Sequence, residues 1–183
     1  IQKVYGIEPL FVYAKRISAP QEMHIVDMGL SGKMNTYLVR LFYRAGLQGV
    51  GLSGCDGGLF TGKSFENYKG QENRSGSIES CDPALVLFLL EKGYTPVISS
   101  VSQDRSGRGI NINADEAALG LARSLKASKL LFISDIPGIL ENERLISHLN
   151  ENEARKLISR GVISGGMIPK VESSLGALHG GMN

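Results

Sequence analysis

The stretch that decides the fold is residues 109–140, which read GININADEAALGLARSLKASKLLFISDIPGIL. The pattern predicts a polar turn, a helix over 114–124, a strand over 129–133 and a second polar turn. Asn113 stands where it can cap the helix, and Glu116 three residues later predicts an asparagine form of the capping box. Small polar residues therefore cluster at both ends of one helix–strand unit, which is where α/β proteins bind their ligands.

The rest of the chain alternates between the apolar periodicities of helices and strands. Helices are predicted at 20–45, 83–92, 150–160 and after Gly166, buried strands at 48–53 and 94–100, and a hairpin over 60–80. We expect the hairpin tip, residues 66–75, to be irregular or mobile, because it shows little periodicity. This order predicts an α/β fold, a three-layer sandwich in which helices cover a mostly parallel central sheet.

The predicted helix 20–45 has one unusual feature. Its apolar residues recur every three or four positions from Met23 to Leu38 and onward, which predicts a single buried stripe. Gly29 and Gly32 interrupt the helix, and such glycines indicate a close approach by another helix, a subunit or a ligand. Packing against another element is the favoured of these explanations.

Composition excludes several classes of function. The chain has 183 residues, enough for one domain, and its 20 basic residues are scattered, with a net charge of +2. Neither nucleic acid nor an anionic membrane is expected as a partner, since both require a clustered basic face. No apolar run reaches the roughly 20 residues that span a bilayer. Cys55 and Cys81 fit no metal-ligand spacing, and they are interpreted as reduced thiols of a cytoplasmic protein.

A candidate phosphate site lies near the end of the chain. Ser164, Gly165 and Gly166 form a glycine turn that opens a helix, and Lys170 lies in the first turn of that helix. The free N–H groups and the dipole of a helix N-terminus favour anions, and the lysine adds a full positive charge. A plain turn would also fit this pattern. Arg16, taken alone, is interpreted as a solvated loop charge.

Segments spread along the chain carry a family resemblance. Three of them are long: NINAD with an alanine-rich helix at 111–122, ISDIPGIL at 133–140 and ISGGMIPKVE at 163–172. Shorter segments fit the same pattern, namely GIEP at 6–9, SGKMN at 31–35 and VGLSGCDGGL at 50–59. Arg16 stands at the position of the family's Arg-Val-Thr. In this order the segments resemble the amino acid kinase family over essentially the whole chain.

The resemblance implies a kinase that transfers the γ-phosphoryl group of ATP to a carboxylate, with Mg²⁺ bound mainly by the ATP phosphates. The most similar branch phosphorylates the side-chain carboxylate of N-acetyl-L-glutamate in arginine biosynthesis and forms homodimers. By this resemblance, Lys170 would stabilise charge on the transferring group and Asp115 would orient the catalytic lysines. Arg16 and Asn111 would hold the amino-acid substrate. The residues expected to line the ATP site are Asp135, Gly138, Leu140, Val162, Ser164, Gly165 and Met167.

The resemblance also sets the expected domain organisation. Residues 1–183 would form a single, truncated amino acid kinase domain, with 1–100 in the substrate-binding lobe and 101–183 in the nucleotide-binding lobe. The family's opening strand, its glycine-rich loop with a second catalytic lysine, and its final strands are expected to lie outside this chain.

Two other functions stay open. One is a kinase for aminoadipate or glutamate that is linked to a carrier protein, and the other is a nucleotide-binding relative without catalytic activity. Ala14 and Lys15 replace the family's Asn-Gly beside Arg16, which leaves the acceptor undecided.

Overall fold

A computed structural model describes residues 10–12 and 15–179 of the chain, so the GIEP segment at 6–9 lies outside the described residues. The described strands are β1 (Leu10–Val12), β2 (Lys15–Ile17), β3 (Gly49–Ser53), β4 (Phe60–Ser64), β5 (Ser75–Cys81), β6 (Thr95–Ser99), β7 (Val101–Gln103), β8 (Gly109–Ile112), β9 (Leu140–Glu141) and β10 (Arg144–Leu145). The described α-helices are α1 (Met23–Val26), α2 (Asn35–Arg44), α3 (Ala84–Glu91), α4 (Ala114–Ser124), α5 (Glu151–Ser159) and α6 (Met167–His179). Among these residues, no helix has the length and apolar character needed to cross a membrane.

The described strands form several small sheets. β3 and β6 pair in parallel, and β4, β5, β8 and β7 close into a barrel that mixes parallel and antiparallel pairs. β1–β2 and β9–β10 are separate antiparallel hairpins. Helices and strands thus occur together as predicted, whereas a mostly parallel central sheet is not seen among the described strands.

Residues 129–133 are not a strand, contrary to the prediction from sequence. Leu131 is 80% exposed and Ile133 is 95% exposed, so the apolar run that predicted a buried strand is uncovered. A strand forms only where a neighbouring backbone exchanges hydrogen bonds with it. Within residues 10–12 and 15–179, no strand pairs with this segment.

A continuous helical run follows β2, and its hydrogen-bond pattern changes along its length. A 3₁₀ turn at Pro20–Glu22 leads into α1, and the segment Asp27–Met34 is π-helical. The N–H of Asn35 therefore reaches back to the carbonyl of Leu30. The wider π turns rotate later side chains away from the face that α1 buries, so the predicted buried stripe is wrong in its second half. The stripe residues that are exposed are Leu30, Met34 and Leu38.

The β4–β5 hairpin is confirmed, and its tip is irregular as predicted: residues 65–74 contain no strand apart from the bridge between Tyr68 and Gln71. The end of the tip that leads into β5 is nevertheless buried. Asn73 and Arg74 are buried, at 1% and 3% exposure. The Arg74 guanidinium donates to the carbonyls of Gly109 and Arg108, both at 2.9 Å. It also forms an ion pair with Asp104 at 3.0 Å. A buried arginine with these partners anchors the tip of the hairpin to the start of β8.

The Asp104 carboxylate makes the stability of this buried contact around Arg74 dependent on pH. The Ser106 hydroxyl is the largest influence that holds the pKa of Asp104 well below its ordinary value of 3.8. The N–H groups of Arg108 and Ser106 and the Arg74 guanidinium lower this pKa further, while burial opposes the shift.

We expect Asp104 to stabilise the protein fully above about pH 4 and progressively less as the pH falls further, because its folded-state pKa is the lower one. Urea unfolding of the full-length protein between about pH 3 and about pH 7 should show this decline in the wild type. The decline should be smaller in Asp104→Asn. An equal decline in both proteins would contradict the assignment.

α4 begins at its predicted cap, but the predicted capping box is only half formed. The Asn113 side-chain oxygen accepts from the N–H groups of Asp115 at 2.9 Å and Glu116 at 3.2 Å. The Glu116 carboxylate accepts instead from the N–H of Ile78 in β5, at 2.9 Å. The Glu116 side chain therefore links α4 to strand β5 of the barrel by a hydrogen bond. In α5, by contrast, the predicted box is complete.

Replacing Asn113 with alanine is expected to lower the free energy of unfolding by about 1 kcal/mol, because two N–H groups lose their acceptor. Urea unfolding of the full-length protein measures this loss. Asn113→Asp keeps an acceptor oxygen and is the matched control, so it should retain most of the stability. A loss as large as that of the alanine variant would contradict the capping explanation.

Candidate active site

The side chains of Lys170 and Asp115 form an ion pair, although the two residues are far apart in the sequence. The Lys170 ammonium lies 2.9 Å and 3.0 Å from the two carboxylate oxygens of Asp115. Asp115 is in the first turn of α4, and Lys170 is in the first turn of α6. The two helices therefore present an ion pair at their N-terminal ends, and both side chains are partly buried.

Close packing of α6 on α4 brings the pair together. A Cβ atom on Gly176 of α6 would lie 2.9 Å from the Leu119 side chain of α4, so a larger residue would require that side chain or the helices to shift. The Arg123 guanidinium of α4 donates to the Gly176 carbonyl at 2.9 Å. The glycine therefore sets the spacing of the helices that carry the lysine–aspartate pair.

The glycine turn that opens α6 borders open space. Gly165 has a φ of +55°, a conformation that favours glycine. Apart from the adjoining backbone, no atom of the described residues lies within 4 Å of the place where a Cβ would stand on Gly165 or Gly166. This end of α6 thus combines a helix N-terminus, free space and a lysine, a combination that suits a phosphate group.

Arg16 and Asn111, predicted to act together, line one cavity of about 200 Å³. The other residues that line it are Ile25, Val26, Gly29, Leu30 and Met34. One guanidinium nitrogen of Arg16 pairs with Glu22 at 3.1 Å. The Nε atom of Arg16 is buried and has no hydrogen-bond partner among the described residues. The interpretation of Arg16 as a solvated loop charge is therefore wrong, and one of its donors is left unused.

Two hydrogen bonds fix the position of Asn111, one from its backbone and one from its side chain. Its backbone N–H donates to the carbonyl of Arg74 at 2.8 Å, and its side-chain Nδ2 donates to the Ser18 hydroxyl at 3.1 Å. Within the described part of the chain, its side-chain oxygen accepts no hydrogen bond. Arg16 and Asn111 thus each carry one polar atom that has no hydrogen-bond partner among the described residues.

The residues predicted for the nucleotide site lie on two segments. The first segment is the connection between α5 and α6, which contains Val162, Ser164 and Gly165 and leads to Met167 at the start of α6. The second segment runs up to and into β9 and contains Asp135, Gly138 and Leu140. The ion pair between Arg160 and Glu141, at 2.9 Å, fastens the β9–β10 hairpin to the end of α5. No hydrogen bond or ion pair between described residues joins the β9 segment to Lys170.

Gly138 has a specific structural reason to be glycine. Its φ is +137°, and a Cβ would lie 2.7 Å from the Leu145 side chain of β10. The predicted turn at this position is therefore confirmed.

Comparison with known proteins identifies the family. The sequence model of the amino acid kinase family matches residues 1–183. The chain belongs to the amino acid kinase family. The resemblance carried by the NINAD, ISDIPGIL and ISGGMIPKVE segments is thereby confirmed.

Relatives within the amino acid kinase family are substantially similar in sequence. The acetylglutamate kinase of Synechococcus sp. (strain RCC307) is 42% identical over 181 residues, which are 97% of this chain and 60% of the relative. The acetylglutamate kinase of Archaeoglobus fulgidus is 40% identical over 190 residues, which are 97% of this chain and 66% of the relative. The chain therefore spans a little under two thirds of the length of these relatives.

Solved structures support the fold. The smu.665 protein of Streptococcus mutans UA159 superposes with a TM-score of 0.87 at 22% identity, covering 100% of this chain and 74% of that protein. N-acetylglutamate synthase from Neisseria gonorrhoeae, complexed with coenzyme A and N-acetyl-glutamate, superposes with a TM-score of 0.78 at 21% identity. That match covers 99% of this chain and 41% of the synthase.

Sequence reasoning missed several residues around the Arg16 cavity of this member of the amino acid kinase family. Glu22 pairs with Arg16, and Ser18 holds Asn111, but neither stands in a recognisable motif. Gly29 is buried and lines the cavity. Its position inside a predicted helix was the sequence feature that could have indicated this cavity.

Proposed function

We propose that the full-length protein transfers the γ-phosphoryl group of ATP to the side-chain carboxylate of N-acetyl-L-glutamate. The observation that carries this proposal is the ion pair between Lys170 and Asp115 beside the open glycine turn of α6. Phosphoryl transfer requires little covalent chemistry from the protein, and positioned positive charge supplies most of the catalysis. The relatives named acetylglutamate kinase support this choice of acceptor.

Each polar residue of the site has a physical role in this proposal. Lys170 stabilises the negative charge that develops on the transferring group, and Asp115 fixes the position of the ammonium. Arg16 binds the carboxylate of the amino acid, because a guanidinium forms strong charge-assisted hydrogen bonds with it. Asn111 contributes a second, neutral contact from the other wall of the same cavity.

The nucleotide is proposed to lie at the N-terminus of α6. ATP, bound with Mg²⁺, supplies the phosphoryl group. The open space at Gly165 and Gly166 and the charge of Lys170 fit its phosphates. Among the described residues, no three His, Cys, Asp or Glu side chains could hold a metal ion, which suits a Mg²⁺ held mainly by phosphates. The other residues proposed for this site are Asp135, Gly138, Leu140, Val162, Ser164 and Met167.

The same proposal covers the architecture of the full-length protein. Residues 1–100 would belong to the substrate-binding lobe and 101–183 to the nucleotide-binding lobe of one three-layer sandwich. A homodimer is proposed through the helical run, whose exposed apolar residues include Leu30, Met34 and Leu38. Light scattering of the full-length protein tests that dimer.

Cys55 and Cys81 are free thiols, which suits a reducing cytoplasm.

A phosphorylation assay with the full-length protein tests the function. ATP and Mg²⁺ are supplied with either free N-acetyl-L-glutamate or carrier-linked aminoadipate or glutamate. We expect acyl phosphate only from the free amino acid, and turnover of the carrier-linked substrate alone would favour the first alternative. Calorimetric binding of ATP and Mg²⁺ without any turnover would favour a non-catalytic relative.

A further inference from the structure

A buried polar cluster lies behind the cavity that holds Arg16 and Asn111. Ser18, Asn73 and Ser75 form this cluster, and they are 0%, 1% and 4% exposed. The Ser18 hydroxyl oxygen accepts hydrogen bonds from the Ser75 hydroxyl at 2.9 Å and from the Asn111 amide at 3.1 Å. A serine oxygen has two acceptor lone pairs, so both are occupied.

The cluster is itself held rigidly. The side-chain oxygen of Asn73 accepts from the N–H groups of Ser18 at 3.2 Å and Ser75 at 3.0 Å. The backbone of Arg74 lies between the two segments that form the cavity. Its N–H donates to the Ser18 carbonyl at 2.7 Å, and its carbonyl accepts from the Asn111 N–H at 2.8 Å. The start of β5 therefore connects the end of β2 to β8.

We infer that Ser18 is a positioning residue for Asn111, and this inference rests on the proposed function. A side-chain amide can present either its oxygen or its NH₂ group to a cavity, and its partners decide which. Ser18 holds the NH₂ group of Asn111, which leaves the oxygen available to the acceptor substrate. Ser75 and Asn73 keep the Ser18 oxygen in place. Supporting hydrogen bonds of this kind fix the geometry of a binding residue.

The structure gives a clear expectation for Ser18→Ala in the full-length protein. The KM for N-acetyl-L-glutamate should rise about tenfold, which corresponds to one lost hydrogen bond. The kcat and the KM for ATP should stay within about twofold of the wild type, because Ser18 touches neither Lys170 nor Asp115. Ser18→Thr keeps the hydroxyl and should restore the KM.

Ser102→Ala is the matched control. Ser102 is also 0% exposed, and its hydroxyl donates to the Phe60 carbonyl at 2.7 Å. Among the described residues its hydroxyl makes no hydrogen bond to Asn111, so its loss should lower thermal stability and leave the acceptor KM unchanged. Equal changes of KM in the two alanine variants would overturn the inference. In a background of Asn111→Ala, Ser18→Ala should add no further change, because Ser18 acts through Asn111.

A second measurement is independent of the substrate. The side-chain NH₂ signal of Asn111, assigned by NMR with the Asn111→Ala variant, should exchange faster with water in Ser18→Ala than in Ser102→Ala. Ser75→Ala, which leaves Ser18 in place, should give a smaller change in the same direction. Equal exchange in all variants would overturn the positioning role. If exchange changes while the wild type does not phosphorylate N-acetyl-L-glutamate, the positioning role holds and the proposed function fails.

Discussion

Replacing Lys170 with alanine in the full-length protein is expected to lower kcat about 1,000-fold. The Lys170 ammonium, in the first turn of α6, lies against Asp115, and the glycine turn before it borders space that the described residues leave open. Its charge is needed most when negative charge moves onto the transferring group, and much less when the substrates first bind. The KM values for ATP and for the acceptor should therefore change only a few-fold, about 10-fold at most. Steady-state kinetics with both substrates measures this separation.

The control for Lys170→Ala must replace a lysine that lies outside the candidate active site. Lys156 is exposed on α5, and its ammonium makes no hydrogen bond or ion pair among the described residues. Lys156→Ala should therefore leave both kcat and KM unchanged. A normal kcat in Lys170→Ala would refute the catalytic role, and a large rise in KM with little change in kcat would assign the lysine to substrate binding alone.

Replacing Arg74 with alanine is expected to lower the free energy of unfolding by about 3–5 kcal/mol. The guanidinium is almost completely buried and donates to two backbone carbonyls and to the carboxylates of Glu72 and Asp104. Its removal takes one hydrogen-bond partner from the Asp104 carboxylate and from each of the two carbonyls in a largely buried region, and lost partners of buried groups are costly. Urea unfolding of the full-length protein measures the loss.

Arg108 provides a matched control because it contacts the same two carboxylates. It forms ion pairs with Glu72 at 3.1 Å and with Asp104 at 3.2 Å, yet its side chain is 62% exposed. Exposed ion pairs are screened by water, so Arg108→Ala should cost less than about 1 kcal/mol. Similar losses in the two variants would show that the burial of Arg74 does not govern its contribution.

The features that could be predicted from sequence depend on neighbours in the chain. Asn113 and Asn150 cap helices because their side chains reach N–H groups two or three residues away. The turns at Gly138 and Gly165 could be predicted because glycine adopts a positive φ at little cost. Lys170 and Asp115 were both predicted to be site residues from the family resemblance, which also implied that Asp115 orients the lysine.

The features that could not be predicted depend on contacts between distant segments. Residues 129–133 have the composition of a buried strand, but a strand also needs a partner, and composition does not supply one. Asn73 and Arg74 lie in a polar stretch without periodicity, yet they are buried because Ser18, Asp104 and β8 offer them hydrogen bonds. Polarity in the sequence indicates exposure only when no such partners are brought near.

The sequence by itself determined the family and the positions of most helices and turns, and it predicted the residues of the candidate site. These follow from local hydrogen bonding and from short motifs, which a linear chain displays directly. Only the tertiary structure decided the geometry of these contacts: the ion pair of Lys170 with Asp115, the cavity that Arg16 and Asn111 share, and the hydrogen bond from Asn111 to Ser18. Each of these contacts joins segments more than 50 residues apart, and their distance is set by how α6 packs on α4 and how β5 joins β2 to β8.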